Sequence, residues 1–350
     1  SGYIWIGTDN GLYRYDGSEF TLFSLDGDED ATKYSINCIY LTSDEKLYVG
    51  TDNYGLYMYD NGTFQRVSEM YNLGVSTINA MYEDDNKNLW IAASSGIFRL
   101  SSDGAEALAD DVVSGLSVGN ISGHGDYVYA IANNDILITV DPERHVSITN
   151  KSEYRVDDIN SLYVDENGNR YYGSAGYSIL KIGTDGKNEI INTGNLHGIN
   201  KIYSDGDNIW ALADDGVGYI SSKGNVTAIG GLSFNESMSD MIIDFEGNYW
   251  FTSYRKGILQ LERSKFQNVT MKYGIDSSIV NCVTSYNGNT FIGTDEGLYI
   301  VDSNGKLVTS AENELVSKLS GISIRDLYVD SDDHLWIATY KIYGVIKVSR

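Results

Sequence analysis

Between Ile78 and Leu100 the chain reads INAMYEDDNKNLWIAASSGIFRL. Apolar positions alternate at Ile78, Ala80 and Tyr82, stop at an acidic stretch from Glu83 to Asn88, and resume at Leu89-Trp90-Ile91-Ala92. A short polar loop follows, then Gly96-Ile97-Phe98-Arg99-Leu100. Two-residue alternation broken by Gly, Asn and Asp predicts strand, turn, strand, turn, strand. The same unit recurs along the chain, so the repeat, and no single residue, organises the fold.

Aligning the units on the aromatic of the second strand gives nine anchors: Trp5, Tyr48, Trp90, Tyr129, Tyr172, Trp210, Trp250, Phe291 and Trp336. Successive spacings are 43, 42, 39, 43, 38, 40, 41 and 45 residues. A period near 40 with four short strands is the signature of a propeller blade. The fourth strand is the weakest, as in Phe20-Thr21-Leu22-Phe23, Phe64-Gln65-Arg66-Val67 and Phe266-Gln267-Asn268-Val269. A twisted four-stranded sheet cannot bury both faces alone; neighbouring blades bury them, and closure into a ring protects the ends. The anchor aromatics fill the space between blades, each burying roughly 150–250 Å².

These positions predict an all-β chain, a β-propeller of four-stranded blades with seven to nine blades. The first unit begins at its second strand (Tyr3 to Thr8) and the last stops after its third (Gly344 to Val348), so the repeat count is about eight and a half. Two partitions follow: residues 1–350 as one propeller, or a first propeller over 1–270 with 271–350 beginning a second. The fourth unit is degenerate, with Ile121 to Gly125 as inner strand, Tyr127 to Ile131 as second strand, and the one proline, Pro142, in its outer turn, where a missing N–H is tolerated. No helical period of useful length appears.

Composition narrows the function. The 350 residues are 42% hydrophobic and 21% charged, with no apolar run near the roughly 20 residues a membrane helix needs. No signal peptide precedes the first repeat, which starts mid-unit, so the chain reads as a piece of something longer. A net charge of −24 argues against nucleic acid and against an acidic membrane surface as partners. Much of that charge belongs to hairpin turns, which favour Asp, Asn and Gly. The rest leaves room for a surface that takes cations. Cys38 and Cys282 occupy one slot in two repeats (INC and VNC), and no metal-type spacing joins them. They read as small buried hydrophobes; a disulfide would require their repeats to be neighbours.

Four segments carry a family resemblance: Trp5-Ile6-Gly7-Thr8-Asp9-Asn10-Gly11-Leu12-Tyr13-Arg14-Tyr15-Asp16-Gly17, Tyr48-Val49-Gly50-Thr51, Phe291-Ile292-Gly293-Thr294-Asp295-Glu296-Gly297-Leu298-Tyr299, and Asp330 to Thr339. They resemble the two-component regulator propeller repeat, a strand, D-x-x-G-x-L-W-I-G-T, then G-L-x-x-Y. The resemblance implies an extracytoplasmic (periplasmic or cell-surface) sensor module of a bacterial membrane-bound signalling protein of the histidine kinase or diguanylate cyclase type. It implies membrane attachment only through segments outside this chain, and a possible homodimer of the full-length protein. Many members have fourteen repeats in two seven-bladed rings; nine anchors depart from that.

No catalytic constellation stands out. His124, His145, His197 and His334 are not at metal-ligand spacing from one another, no Ser/His/Asp order or phosphate loop appears, and acidic turns such as Asp165 to Asn169 lack the twelve-residue calcium-loop ligand set. No catalytic residue, metal or cofactor is expected. Binding is expected in the loops joining second to third strand, which share a face with the blade-to-blade connections and rim the central funnel. Four of these loops insert aromatic or basic residues, and they provide the candidate site: Tyr54, Tyr177, Tyr254, Arg255, Lys256, Tyr340, Lys341 and Tyr343. Tyrosine offers a stacking face and a hydroxyl suited to sugars and polar small molecules, and Arg255 and Lys256 suit a carboxylate or sulfate. The expected function is non-enzymatic sensing of a small molecule, with a carbohydrate or oligosaccharide fragment as the expected ligand class. The alternatives are a propeller glycoside hydrolase or polysaccharide lyase, and a protein–protein interaction scaffold.

Overall fold

The computed structural model describes residues 2–27, 29–60, 62–108, 112–221, 224, 226–230, 236–261, 269–275 and 279–348. The chain divides into two compact units, Ser1–Arg263 and Ser264–Arg350. Every sheet is an antiparallel meander in chain order.

The first unit holds seven sheets, called blades one to seven. Blade one has three strands, Ile4–Thr8, Gly11–Tyr15 and Phe20–Phe23. Blades two to six have four each, with inner strands at Ile36–Leu41, Ile78–Glu83, Val118–His124, Ile159–Val164 and Ile199–Ser204. Blade seven has three described strands, Met238–Ile243, Tyr249–Ser253 and Gly257–Leu261. Its expected outer strand lies outside the described residues at Phe266, Gln267 and Asn268, while Val269 opens a short helix, Val269–Lys272, that belongs to the second unit. From blade one to blade seven, each consecutive pair shares one apolar cluster; Tyr48, Ile78 and Ile91, for example, lie together between blades two and three. Tyr15 of blade one meets Trp250 of blade seven at 5.6 Å between ring centroids, so the first and seventh blades touch.

The second unit has two three-stranded sheets. One is Val280–Tyr286, Asn289–Thr294 and Leu298–Val301; the other is Ile324–Val329, Leu335–Thr339 and Val345–Val348. They share a core of Phe291, Leu298, Ile324 and Leu335, joined by Val316 of a helix at Glu314–Lys318. In the first of these sheets the fourth strand shrinks to a single bridge, Val301 with Leu307. Eight and a half four-stranded units would give thirty-four strands, and thirty-two appear among the described residues.

Two local devices explain the repeat. The first is the acidic turn. Asp84 accepts hydrogen bonds from the backbone N–H of Asn86 and Asn88, from the Asn88 amide, and at 2.8 Å from the indole N–H of Trp90. Asp205, Asp244 and Asp330 hold Trp210, Trp250 and Trp336 in the same way at 2.7–2.8 Å. One carboxylate thus closes the hairpin and satisfies the one polar atom of the buried anchor. In blade five the partner of Asp165 is Tyr171, at 3.3 Å, and register pairs Tyr171 with Tyr163 as it pairs Trp210 with Tyr203. The fifth anchor is therefore Tyr171, not Tyr172. A one-residue slip carries a side chain to the opposite face of its strand, and adjacent tyrosines conceal it in the sequence.

The second device is a bulge near the start of each inner strand. At Ile36/Cys38 and Ile78/Ala80 the skipped residues are Asn37 and Asn79. Their amides donate to the backbone carbonyl of the next blade's inner strand, Asn37 to Ile78 at 3.1 Å and Asn79 to Val118 at 2.8 Å. Asn200 donates likewise to Met238, and Asn281 to Ile324. The recurring Ile-Asn and Val-Asn pairs are inter-blade latches. Cys38 and Cys282 are free and partly buried, each packed beside its own apolar cluster, and burial pushes the Cys38 thiol up to about 12.

The acidic turns carry a pH dependence. The indole N–H of Trp336, then the His334 backbone N–H, hold the Asp330 carboxyl down from 3.8 to about 2. A depressed folded-state value adds stability above the unfolded value, and this is lost as pH falls through the folded one. The contribution of Asp330 is therefore complete above about pH 5 and disappears between about pH 4 and about pH 2. Urea midpoints measured from pH 7 to pH 2.5 are expected to fall less steeply for Asp330→Asn than for the parent. Parallel curves would show that the turn carboxylate is not the titrating group.

Candidate functional site

The loop-face connections of blades four, five and six converge on a cavity of about 520 Å³, lined by Lys151, Val156, Asp157, Asp158, Ala175, Gly176, Tyr177 and His197. Lys151 opens a 3₁₀ turn capped by Asn150, whose side-chain oxygen accepts the Ser152 N–H at 2.9 Å. The chain then passes through Asp157 and Asp158 into the inner strand of blade five; the Lys151 ammonium pairs with the Asp158 carboxylate, and the Ala175 N–H donates to the Asp158 carbonyl. Tyr177 lies in the loop between the second and third strands of blade five, Arg170–Ser174 and Ser178–Ile182. The loop is pinned at Gly176, whose N–H donates to Ser174 Oγ and whose carbonyl accepts from Gly198. A side chain at position 176 would overlap the Asp157 carboxylate. His197 comes from the connection into blade six, with its backbone N–H on Asp215 Oδ1 at 2.8 Å.

Tyr177 is 53% exposed and meets the His197 ring edge-on at 4.8 Å between centroids. The cavity thus offers two aromatic faces, a lysine and two exposed aspartates. Flat apolar rings beside carboxylate acceptors and an ammonium donor match a ligand with C–H faces and several hydroxyls. The volume lies within the roughly 300–1,000 Å³ range of small-molecule pockets.

The other expected site residues are distributed over separate blades. Tyr54 is half-buried, edge-on to Tyr34 at 4.9 Å, and its carbonyl accepts from Arg66 Nε. It serves the core between blades one and two. Tyr254, 79% exposed, begins the blade-seven loop, in which the Arg255 and Lys256 N–H groups share Ser253 Oγ. Lys256 stands 3.5 Å from Glu236. Near this loop Lys201 pairs with Asp240 at 3.2 Å, and that carboxylate chiefly holds the ammonium above its usual value, with Tyr254 contributing. Tyr340, Lys341 and Tyr343 are exposed in the second unit, where Arg325 and Lys341 lie over the Tyr340 ring at 4.7 and 4.9 Å. Lys151, Asp157, Asp158 and His197 escape a search confined to the loops between second and third strands. They lie in blade-to-blade connections on the same face, and a search of those connections finds them.

One exposed group elsewhere, Asp141, Glu143 and His145, brings three potential metal-ligand atoms within 4.8 Å in the outer turn of blade four. His145 Nδ1 there lies 3.0 Å from Asp141 Oδ2, closing the turn.

Comparison with known proteins bears on the repeat itself. The two component regulator propeller family matches residues 72–95 and 318–341. Two of the repeats of this chain thus match that family's repeat model. The match falls on the strand, acidic turn and Trp90 of blade three, and on the corresponding stretch through Trp336 in the second unit. Comparison with curated proteins gives no match. Among solved structures, the extracellular domain of the hybrid two-component system BT3049 from B. thetaiotaomicron is similar at 18% identity and TM-score 0.63, over 99% of this chain and 50% of that one. The extracellular domain of the one-component system BT4673 from the same organism is similar at 20% identity and TM-score 0.61, over 96% and 48%. A chain of the mitotic checkpoint complex is similar at 11% identity and TM-score 0.55, over 74% and 83%. The chain thus spans about half the length of the two bacterial structures, and at these identities the likeness is one of fold. Among the described residues no helix is long and apolar enough to cross a membrane.

Proposed function

We propose that this propeller is the extracytoplasmic ligand-sensing part of a bacterial signalling protein, and that it binds a small carbohydrate fragment without transforming it. The observation that carries the reading is the loop-face cavity in which Tyr177 and His197 meet above Asp157 and Asp158. Two extracellular domains of bacterial regulatory systems with a similar fold support the sensor role. On this reading residues 264–350 begin a second propeller, and ligand occupancy reaches the rest of the protein through the packing of propellers or of two copies of it.

Tyr177→Ala is the direct test. The side chain is exposed, so its loss is expected to leave stability within about 0.5 kcal/mol while weakening saccharide binding by at least tenfold in isothermal titration. Unchanged affinity for a saccharide that binds the parent chain would remove the cavity from the proposal.

A further inference from the structure

The same register recurs in blades five and six, so the two inter-blade slots that follow them can be compared position by position. Between blades six and seven the slot is filled by aromatics: Tyr203, Trp210 and Tyr219 pair across three strands, and Tyr249 comes from blade seven. Trp210 lies 5.8 Å from Tyr219 and 5.4 Å from Tyr249 between ring centroids. Between blades five and six the matching residues are Tyr163, Tyr171, Lys181 and Ile209. Two aromatics are gone and a tryptophan has become a tyrosine. A cavity of about 300 Å³ opens where they would stand.

This cavity lies at the end of the strands opposite to Tyr177, bounded by the acidic turns. Tyr163 and Tyr171 form its floor, with ring centroids 6.1 Å apart. Lys181 has its ammonium 5.5 Å from the Tyr171 ring centre and pairs across the strands with Glu189. Asp165, Glu166, Glu189 and Asp207 line the cavity, so four carboxylates stand beside one ammonium; Asp165 is engaged by the Tyr171 hydroxyl and its own turn. Among the described residues the side chains of Glu166, Lys181, Glu189 and Asp207 have no ion pair or hydrogen bond. Uncompensated carboxylates beside aromatic faces attract a cation both by charge and through the ring quadrupoles.

We infer that the slot between blades five and six is a second binding site, for a small organic cation of diamine or guanidine type, whose apolar stem rests on Tyr171 and Ile209 and whose charge is shared by Glu189 and Asp207. The site is separate from the loop-face cavity, and the excess negative charge of the chain favours capture of such a ligand at low ionic strength.

The test is isothermal titration of the chain with 1,4-diaminobutane and agmatine at low salt. Lys181→Tyr with Ile209→Tyr rebuilds the aromatic set of the neighbouring slot and fills the cavity. Glu189→Gln with Asp207→Asn keeps the shape and removes charge. Both pairs are expected to lower amine affinity at least tenfold, while Tyr177→Ala leaves it unchanged. The inference is overturned if neither amine binds the parent chain, if both double variants bind as the parent does, or if a neutral sugar binds this slot more tightly than the amines. The charge-removal pair keeps the test decisive if the filled variant does not fold.

Discussion

Replacing Trp90 with alanine is expected to destabilise the chain by about 3–5 kcal/mol, the usual cost of truncating a buried large aromatic. Trp90 is 5% exposed and sits in the cluster between blades three and four with Ile97, Val118 and Val128. Two losses combine. The ring leaves a cavity that rigid blades cannot collapse into, and Asp84, itself buried, loses a donor at 2.8 Å. Trp90→Phe restores most of the volume but not the N–H, so it is expected to recover over half of the loss. Equilibrium urea unfolding checks both. A loss below about 1 kcal/mol for Trp90→Ala would contradict the inter-blade role, and equal losses for both variants would mean that shape contributes nothing.

The second large effect is expected at Gly50, whose replacement by valine inserts atoms where the inner strand of the next blade already lies. A Cβ there would stand 2.5 Å from Cys38 Sγ and 2.7 Å from Ile78 Cγ2. Gly7 and Gly173 receive Ile36 and Ile199 in the same way. The Gly in the strand motif is thus a docking surface for the following blade. Overpacking of this kind costs typically about 1–3 kcal/mol and sometimes more. Here it also pushes the Ile78 carbonyl away from its Asn37 latch, so a loss at or above the top of that range is expected. Ile78→Ala opens the space again. The double variant Gly50→Val/Ile78→Ala is therefore expected to be less destabilised than the sum of its parts, with a coupling of about 0.5–3 kcal/mol. Strict additivity in urea unfolding would show that the two residues do not meet.

The origin of these effects explains what the sequence discloses. Strand alternation, hairpin turns and the period near 40 are local, so the blades from Ile36 to Ala228 are legible in the pattern. The slip from Tyr172 to Tyr171 was not, because both are buried and alternation cannot choose between neighbours; the Asp165 contact decides it. The outer strands faded because each packs on one neighbour only, and after Val301 the fourth strand is a single bridge. The contact of Tyr15 with Trp250 joins residues more than two hundred positions apart, and no spacing rule reveals it. At the candidate site, Tyr177 is visible as an unusual insertion in a short loop. Its partners Lys151, Asp157 and His197 look ordinary until the blade connections bring them together. The cavity between blades five and six appears only when Lys181 and Ile209 are set against Tyr219 and Tyr249.

The measurement that tests the sensing role most directly is a thermal-shift panel of neutral and acidic oligosaccharides, amino acids, organic acids and divalent cations, run on the parent chain and on Tyr177→Ala, with each hit recovered and analysed. A ligand at 100 times its dissociation constant adds about 2.7 kcal/mol to the folded state. The expected result is a saccharide that raises the melting temperature of the parent, fails to raise that of Tyr177→Ala, and is recovered intact. A saccharide shift that persists in Tyr177→Ala, a hit recovered cleaved, or no shift with any saccharide would contradict it.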